Sequence, residues 1–152
     1  MRVLIIAVGK LKPGPLQDLE RHYAGRIAAK LVIHEVAEKR KLPPAELKER
    51  EGALLLEALP KDAMLVALDE RGNALASVEF ARRLGQWRDG GVRDLAFLIG
   101  GAEGLSESVK KRAALVLSLG PATWPHFLVR GMLLEQIYRA ETLLAGHPYH
   151  RE

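Results

Sequence analysis

Apolar residues along the chain fall into short continuous runs that are separated by stretches with helical spacing. The clearest run covers residues 3–8 and ends at Gly9, which is typical of a strand buried on both faces of a sheet. Four further runs predict strands at residues 31–36, 64–68, 95–99 and 114–118.

Between these strands, apolar residues recur with the period of amphipathic helices. The first predicted helix begins at Pro15, and a second one follows Pro43 and Pro44. Ser77 is predicted to cap the third helix, and a short fourth helix follows Ser106. The apolar faces of the first three helices are Leu16, Leu19, Tyr23 and Ile27; Leu47, Leu54, Leu55 and Leu59; and Phe80, Leu84 and Trp87. Strict alternation of strands and helices predicts a single α/β domain over residues 1–152, with a parallel sheet sandwiched by helices.

The last predicted helix, at about residues 125–146, has no wide polar face. Its apolar residues form three stripes: Phe127, Leu134 and Tyr138; Leu128, Met132 and Leu143; and Leu133, Ile137 and Leu144. A helix that is apolar almost all round is buried on more than one side. Because a domain of this size covers one side with its own sheet, we expect the other side to face a second copy in a homodimer.

Composition and charge exclude several classes of protein. The chain lacks cysteine, so disulfides, thiolate metal sites and a cysteine nucleophile are excluded. No apolar run reaches the roughly 20 residues of a membrane span, and Met1-Arg2 leads into a strand instead of a signal peptide, so a cytoplasmic location is expected. A net charge of +4 is compatible with a nucleic-acid partner.

Two loops near the carboxyl ends of predicted strands carry candidate chemistry. The first, residues 99–106, reads IGGAEGLS, and its glycines allow a ligand to approach the backbone closely. By itself this loop is weak evidence, since a plain tight turn has the same composition. The second, residues 118–126, reads SLGPATWPH, a stiff segment whose backbone and apolar side chains suit the edge of a flat heterocycle.

The carboxyl-terminal tail places two histidines, a phenol and an arginine within the last six residues, HPYHRE. Such a concentration of functional groups is unusual at a position that normally frays. As a metal site the two histidines lack a third ligand, so no metal is expected.

The motifs that carry a family resemblance are residues 97–106 (FLIGGAEGLS), Pro125-His126, residues 128–130 (LVR), Glu135, residues 138–140 (YRA), the ending HPYHRE, residues 7–10 (AVGK) and Leu68-Asp69. With them the chain resembles the SPOUT superfamily and, within it, the ribosomal RNA large-subunit methyltransferase H family, whose members methylate N3 of a pseudouridine in 23S rRNA. The likeness spans essentially the whole chain. Departures are Ala102, where many relatives have proline, and Gly120-Pro121 and Trp124, which replace more usual residues.

The resemblance implies a deep trefoil knot in the carboxyl-terminal part of the chain and S-adenosylmethionine as cofactor, bound in the knot. By position, the implied cofactor residues are Leu68, Gly100, Leu119, Gly120, Pro121, Ala122, Thr123 and Trp124. The candidate catalytic residues are His126, Tyr149, His150 and Arg151, and the sequence leaves open which of them is the base. For His126, a helix-capping or packing role is the alternative.

The expected substrate is 23S rRNA in the assembled ribosome. Lys39, Arg40 and Lys41 form a basic loop that is predicted to attract RNA phosphates, with a merely solvated loop as the alternative. Two other functions stay open at this point. One is methylation of transfer RNA by an enzyme of the same superfamily, and the other is a non-catalytic nucleotide-binding regulatory module.

Overall fold

Five strands and five helices alternate along residues 1–150, the part of the chain that the computed structural model describes. In chain order they are β1 (Arg2–Val8), α1 (Pro15–Ala24), β2 (Leu31–Val36), α2 (Pro44–Glu57), β3 (Met64–Ala74), α3 (Ser77–Asp89), β4 (Asp94–Ile99), α4 (Glu107–Arg112), β5 (Leu115–Ser118) and α5 (His126–Ala145). The predicted strands and helices are therefore all present.

The strands form one parallel sheet in the order β2-β1-β4-β3-β5. Strand β1 lies between β2 and β4, and its Ile5 is paired with Ile33 on one side and Phe97 on the other. The continuous apolar runs of β1 and β4 follow from this central position, because helices cover both of their faces. The predicted α/β fold with a parallel sheet is confirmed.

Two hydrophobic clusters lie on opposite faces of the sheet. The larger one packs Phe80, Leu84, Leu134 and Ile137 of α3 and α5 against residues such as Phe97. The smaller one packs Leu55 of α2 and Val109 of α4 against alternate residues of the strands. The carboxyl ends of β3, β4 and β5 consequently meet at one edge of a rigid layer.

Several element boundaries differ from the sequence prediction. Helix α1 ends at Ala24 before Gly25, so Ile27 packs against the larger cluster from the following loop. Leu59 likewise lies past the end of α2. Strand β3 continues to Ala74 because it resumes pairing with β5 after a register shift between Leu68 and Asn73.

The prediction that Ser77 caps the third helix is wrong. Ala76 occupies the cap position, and no side chain bonds to the first turn of the helix. Ser77 is the first helical residue, and its Oγ donates a hydrogen bond of 2.7 Å to Oε1 of Gln136 in α5. The hydroxyl therefore joins two helices, a contact between residues 59 positions apart that no local pattern indicates.

Helix α5 buries one side against the sheet, α1 and α3, with Leu133, Leu134, Ile137 and Ala140 fully buried. The stripe formed by Leu128, Met132 and Leu143 is half-buried, and Leu144 is 40% exposed. Among the helices of residues 1–150, α5 included, none combines the length and the apolar composition that a membrane span requires.

Candidate cofactor site

A cavity of about 610 Å³ opens at the carboxyl edge of the sheet. It lies where β4 and β5 end and where the first part of β3 ends at Leu68, the edge at which open parallel sheets bind ligands. Its walls come from the ends of these strands, from the loop after β4 and from the loop between β5 and α5. Its volume is in the range of sites that hold molecules of cofactor size.

The loop after β4 is built from glycines at close quarters. Gly101 and Gly104 form an isolated antiparallel bridge, and the Gly104 amide donates to the Gly101 carbonyl at 3.0 Å. A Cβ atom at Gly100 would lie 2.7 Å from the carbonyl carbon and oxygen of Gly104. Gly104 has φ +80°, a conformation that favours glycine. The loop is thus a compact backbone surface facing the cavity.

The loop between β5 and α5 is held by side chains of its own. The Ser118 hydroxyl accepts a hydrogen bond from the Gly120 amide at 3.1 Å, and it lies 3.0 Å from the Glu70 carbonyl. The Trp124 indole donates to the Leu119 carbonyl at 3.3 Å. Gly120 has φ +108°. These bonds within the protein hold residues 119–125 in shape.

The structure brings together most of the residues that the sequence assigned to the cofactor. Seven of them line this cavity: Leu68, Gly100, Leu119, Gly120, Ala122, Thr123 and Trp124. Pro121 is exposed and lies outside the lining of the cavity. Trp124 is 43% exposed, so its ring presents an open apolar face at the mouth.

Charged groups at the cavity wall were not singled out from the sequence as cofactor or catalytic residues. Lys110 of α4 forms an ion pair of 3.0 Å with Asp69 at the end of the first part of β3. Burial opposes ionisation of Asp69, but the Arg71 amide and Lys110 outweigh it and hold the pKa of this carboxyl below its usual value. The sequence indicates Asp69 as a site residue because it directly follows a predicted strand, whereas the position of Lys110 gives no such indication.

His126 lies in the first turn of α5 and also lines the cavity. Its side chain makes no capping hydrogen bond, so a capping role is not observed. Burial first, and then the positive charge of Arg130, lower the pKa of the imidazole from its usual value. At neutral pH the ring is therefore an uncharged acceptor of protons.

The tail folds back on α5 of its own chain. The Tyr149 hydroxyl donates to Oε1 of Glu135 at 3.2 Å, and its ring packs against Tyr138 and under the Arg139 guanidinium. Burial, followed by Tyr23 and Glu135, raises the pKa of Tyr149 to about 12. His150 is half-buried, and its Nδ1 has no hydrogen-bond partner within residues 1–150. Arg151, also predicted to be catalytic, lies outside the described residues.

The basic loop is exposed at Lys39, Arg40 and Lys41. Arg40 bonds to Glu38 at 3.0 Å, and Arg50 bonds to the same carboxylate at 2.9 Å. These bonds lower the pKa of Glu38 to about 2. The charge of Arg40 is thus partly compensated, whereas Lys39 and Lys41 are exposed and form no ion pair among residues 1–150.

Within residues 1–150, no three His, Cys, Asp or Glu side chains are grouped so that they could hold a metal ion. The residues that line the cavity offer backbone groups, apolar side chains and charged side chains. These are the groups that recognise an organic cofactor.

The chain matches the family model described as predicted SPOUT methyltransferase over residues 1–150. The parallel sheet and the cavity at the carboxyl ends of its strands agree with that match, and the chain belongs to the SPOUT methyltransferases. It is 58% identical to the ribosomal RNA large subunit methyltransferase H of Rhodospirillum centenum, and 56% identical to that of Paramagnetospirillum magneticum, with 99% of both chains covered in each case. Within the SPOUT methyltransferases it belongs to this methyltransferase H family, which confirms the resemblance seen in the sequence.

Solved structures agree on the fold. A probable methylase family protein from Haemophilus influenzae Rd KW20 has a TM-score of 0.58 at 10% identity, and the match covers 99% of this chain and 70% of that one. The SpoU methyltransferase AviRb from Streptomyces viridochromogenes, solved with AdoMet, has a TM-score of 0.50 at 15% identity. The match covers 92% of this chain and 58% of AviRb, so AviRb is the longer protein.

Proposed function

We propose that this protein is an S-adenosylmethionine-dependent methyltransferase that methylates N3 of a pseudouridine in 23S rRNA, acting as one domain of residues 1–152 in the cytoplasm. The observation that carries the proposal is the cavity, around which the two loops assigned to the cofactor meet. The relatives at 56–58% identity are named as methyltransferases of large-subunit RNA, which supports the same substrate here.

The residues of the cavity fit S-adenosylmethionine. The backbone of Gly100 and Gly104 and the preformed loop at residues 119–125 supply amides and carbonyls for the edge of an adenine ring. Leu68 and Leu119 supply apolar walls. The Asp69 carboxylate offers an acceptor for ribose hydroxyls or an ammonium group, and it is held in place by Lys110.

S-adenosylmethionine, when bound, supplies a methyl group from a sulfonium to an attacking nitrogen. The protein's own task is to hold the acceptor base in line with this methyl group and to remove the proton from N3. His126 is suited to accept that proton, because it lines the cavity and its lowered pKa keeps it neutral. Burial and its neighbours raise the pKa of Tyr149 and keep its phenol protonated, but its single O–H donates to Glu135, so Tyr149 would donate to the target base only by exchanging that partner.

We also infer that the protein is a homodimer whose second copy covers a groove of about 680 Å³ beside α5. Leu19, Tyr23 and Met132 line this groove, and it shares Leu119 and Gly120 with the cofactor cavity. Glu135, which binds the tail through Tyr149, lines the groove too. A copy seated there would lie against both the cofactor loop and the tail.

The function is tested by mass spectrometry of RNA from a strain in which the corresponding gene is deleted. We expect the 23S rRNA to lose one methylated pseudouridine, and the purified protein to restore it on whole ribosomes. Loss of a methyl group from transfer RNA with intact 23S rRNA would contradict the proposal and identify a tRNA methyltransferase.

Calorimetry tests the cofactor separately. We expect S-adenosylmethionine to bind with a far lower Kd than ATP, because the site offers a carboxylate and no triphosphate-binding loop. Equal affinity for ATP together with unchanged RNA in the deletion strain would identify a regulatory module.

A further inference from the structure

Arg130 of α5 is buried, with 1% of its side chain exposed, at the carboxyl end of β1. Its Nη1 donates to Oε2 of Glu35 at 2.5 Å. Its Nη2 donates to the Gly9 carbonyl at 2.7 Å and approaches the Val8 carbonyl at 3.3 Å. A single guanidinium thus fastens the end of β1 and the end of β2 to the first turns of α5.

Stability alone is a weak explanation for this cluster. Moving a charge out of water costs more free energy than an ion pair on the surface contributes. Apolar side chains of similar volume often replace buried ion pairs without loss of stability. The pairing is also incomplete. Oε2 of Glu20 lies 3.7 Å from Arg130 without a hydrogen bond, and Nε of Arg130 has no partner within residues 1–150.

The turn that Arg130 holds lies beside the first turn of α5, which carries His126. Gly9 has φ +97°, and a Cβ atom there would lie 2.9 Å from the Phe127 ring and 3.6 Å from Nε2 of His126. The Arg130 guanidinium lies 5.2 Å from the centre of the Phe127 ring. The Gly9 turn, Phe127 and Arg130 therefore pack around the residue that forms this corner of the cofactor cavity.

We propose that Arg130 is a positioning residue, which clamps the Gly9 turn to α5 so that the His126 imidazole is held at the cavity as the proton acceptor for the target base. This inference rests on the proposed methyltransferase function. It assigns the cluster a part in the reaction that neither the family match nor the names of the relatives gives.

The charge of Arg130, like its position, favours His126 as the proton acceptor. Arg130 lies one helical turn after His126, and its charge adds to burial in lowering the pKa of the imidazole. Glu35 partly neutralises Arg130, and Lys10 acts on Glu35 in turn. The charged side chains on the other walls of the cavity are Lys48, Asp69, Glu70, Arg71, Glu103 and Lys110.

Two substitutions separate this role from a merely structural one, because they shift the charge near His126 in opposite directions. Arg130→Met removes the positive charge at similar length, so the pKa of His126 should rise. Glu35→Gln removes the neutralising charge and should lower it. Both bonds to Glu35, from Leu11 and from Arg130, go to the single atom Oε2, so the amide oxygen of glutamine can accept both.

The measurement is the titration of His126 by NMR, with His126→Gln used to assign its signal, alongside the pH profile of methylation. Since the neutral imidazole is the active form, the acid limb of kcat/KM should move to higher pH in Arg130→Met and to lower pH in Glu35→Gln. The affinity for S-adenosylmethionine should change less than threefold in both variants.

The proposal would be overturned if the pKa of His126 shifted in the same direction in both variants, or if the pH profile of kcat/KM did not move with that pKa. If Arg130→Met does not fold, Glu35→Gln still decides, because its expected shift is opposite to that caused by loosened packing. The NMR titration needs only the folded protein, so a failure of the positioning role is distinguishable from a failure to methylate rRNA.

Discussion

Gly100 follows β4 and begins a loop that folds back, so that the backbone of Gly104 lies against Gly100. From the sequence, glycine in this loop is explained by the close approach of a ligand to the backbone. The structure gives a different reason for glycine, since a Cβ atom would meet the Gly104 backbone at 2.7 Å. A larger residue therefore displaces the wall of the cavity.

We predict that Gly100→Ala lowers the affinity for S-adenosylmethionine at least tenfold, about 1.4 kcal/mol, because residues 104–105 must shift away from the cofactor. Calorimetry measures this loss. Gly25→Ala is the matched control, since its Cβ would meet the Arg21 carbonyl at an ordinary 3.4 Å, far from the cavity lining. Wild-type affinity in folded Gly100→Ala would contradict the placement.

At the scale of residues, the sequence predicted those site residues whose type indicates the backbone conformation that they adopt. Glycines and prolines marked both cofactor loops, and seven of the eight assigned residues line the cavity. The clusters around Asp69 and Arg130 were missed, because their partners are joined only by the fold. Arg130 and Glu35 are 95 positions apart, although an arginine among the apolar residues of the last helix was a signal in the sequence.

Gly131 of α5 lies directly against Leu19 of α1. A Cβ atom on Gly131 would lie 2.6 Å from Cδ2 and 2.7 Å from Cγ of Leu19. Glycine inside a helix costs roughly 1 kcal/mol relative to alanine, so its presence here indicates that the close approach outweighs the poor helical propensity. The contact limits how far apart these two helices lie beside the groove that Leu19 and Met132 line.

We predict that Gly131→Ala lowers the free energy of unfolding in the wild-type background, since the added methyl group overlaps Leu19. In the Leu19→Ala background the overlap is gone, and Gly131→Ala should instead stabilise by up to about 1 kcal/mol. Urea unfolding of the wild type, the two single variants and the double variant, all at the same protein concentration, measures the coupling energy between Gly131 and Leu19. An identical effect of Gly131→Ala in both backgrounds would show that Leu19 is not the obstacle.

Elements were predictable where a local pattern determines them. All strands and helices were located from apolar periodicity, and boundaries shifted by a few residues at Ile27 and Leu59. The extension of β3 to Ala74 was missed, because residues 69–74 contain no large apolar side chain and pair with β5 only after a register shift. Ser77 was misread since its hydroxyl bonds to a distant helix.

For the whole molecule, the dimer and the trefoil knot stay predictions. In the proposed dimer the tail of one subunit completes the site of the other, because Tyr149 is held by Glu135 beside the groove that a second copy would cover. A chain truncated after Gly146 should then dimerise and bind the cofactor but fail to methylate.

We predict that mixing this truncated chain with Gly100→Val restores methylation, although neither parent is active alone. A mixed dimer contains one site with an intact cofactor loop and an intact tail from the other chain. Activity of rRNA methylation after subunit exchange is the measurement, and native mass spectrometry verifies the mixed dimers. Inactive mixed dimers would place loop and tail of each site in the same subunit.

The central position of β1 has a consequence for how the protein is made. Strand β1 ends at Val8, but its neighbour β4 begins at Asp94, about 58 residues after β2 ends. At roughly 5–20 residues per second, translation leaves the apolar edge of β1 without that neighbour for several seconds. Pairings between distant segments also form slowly. The nascent chain is therefore most vulnerable to aggregation and most dependent on chaperones before Ile99 has left the ribosome.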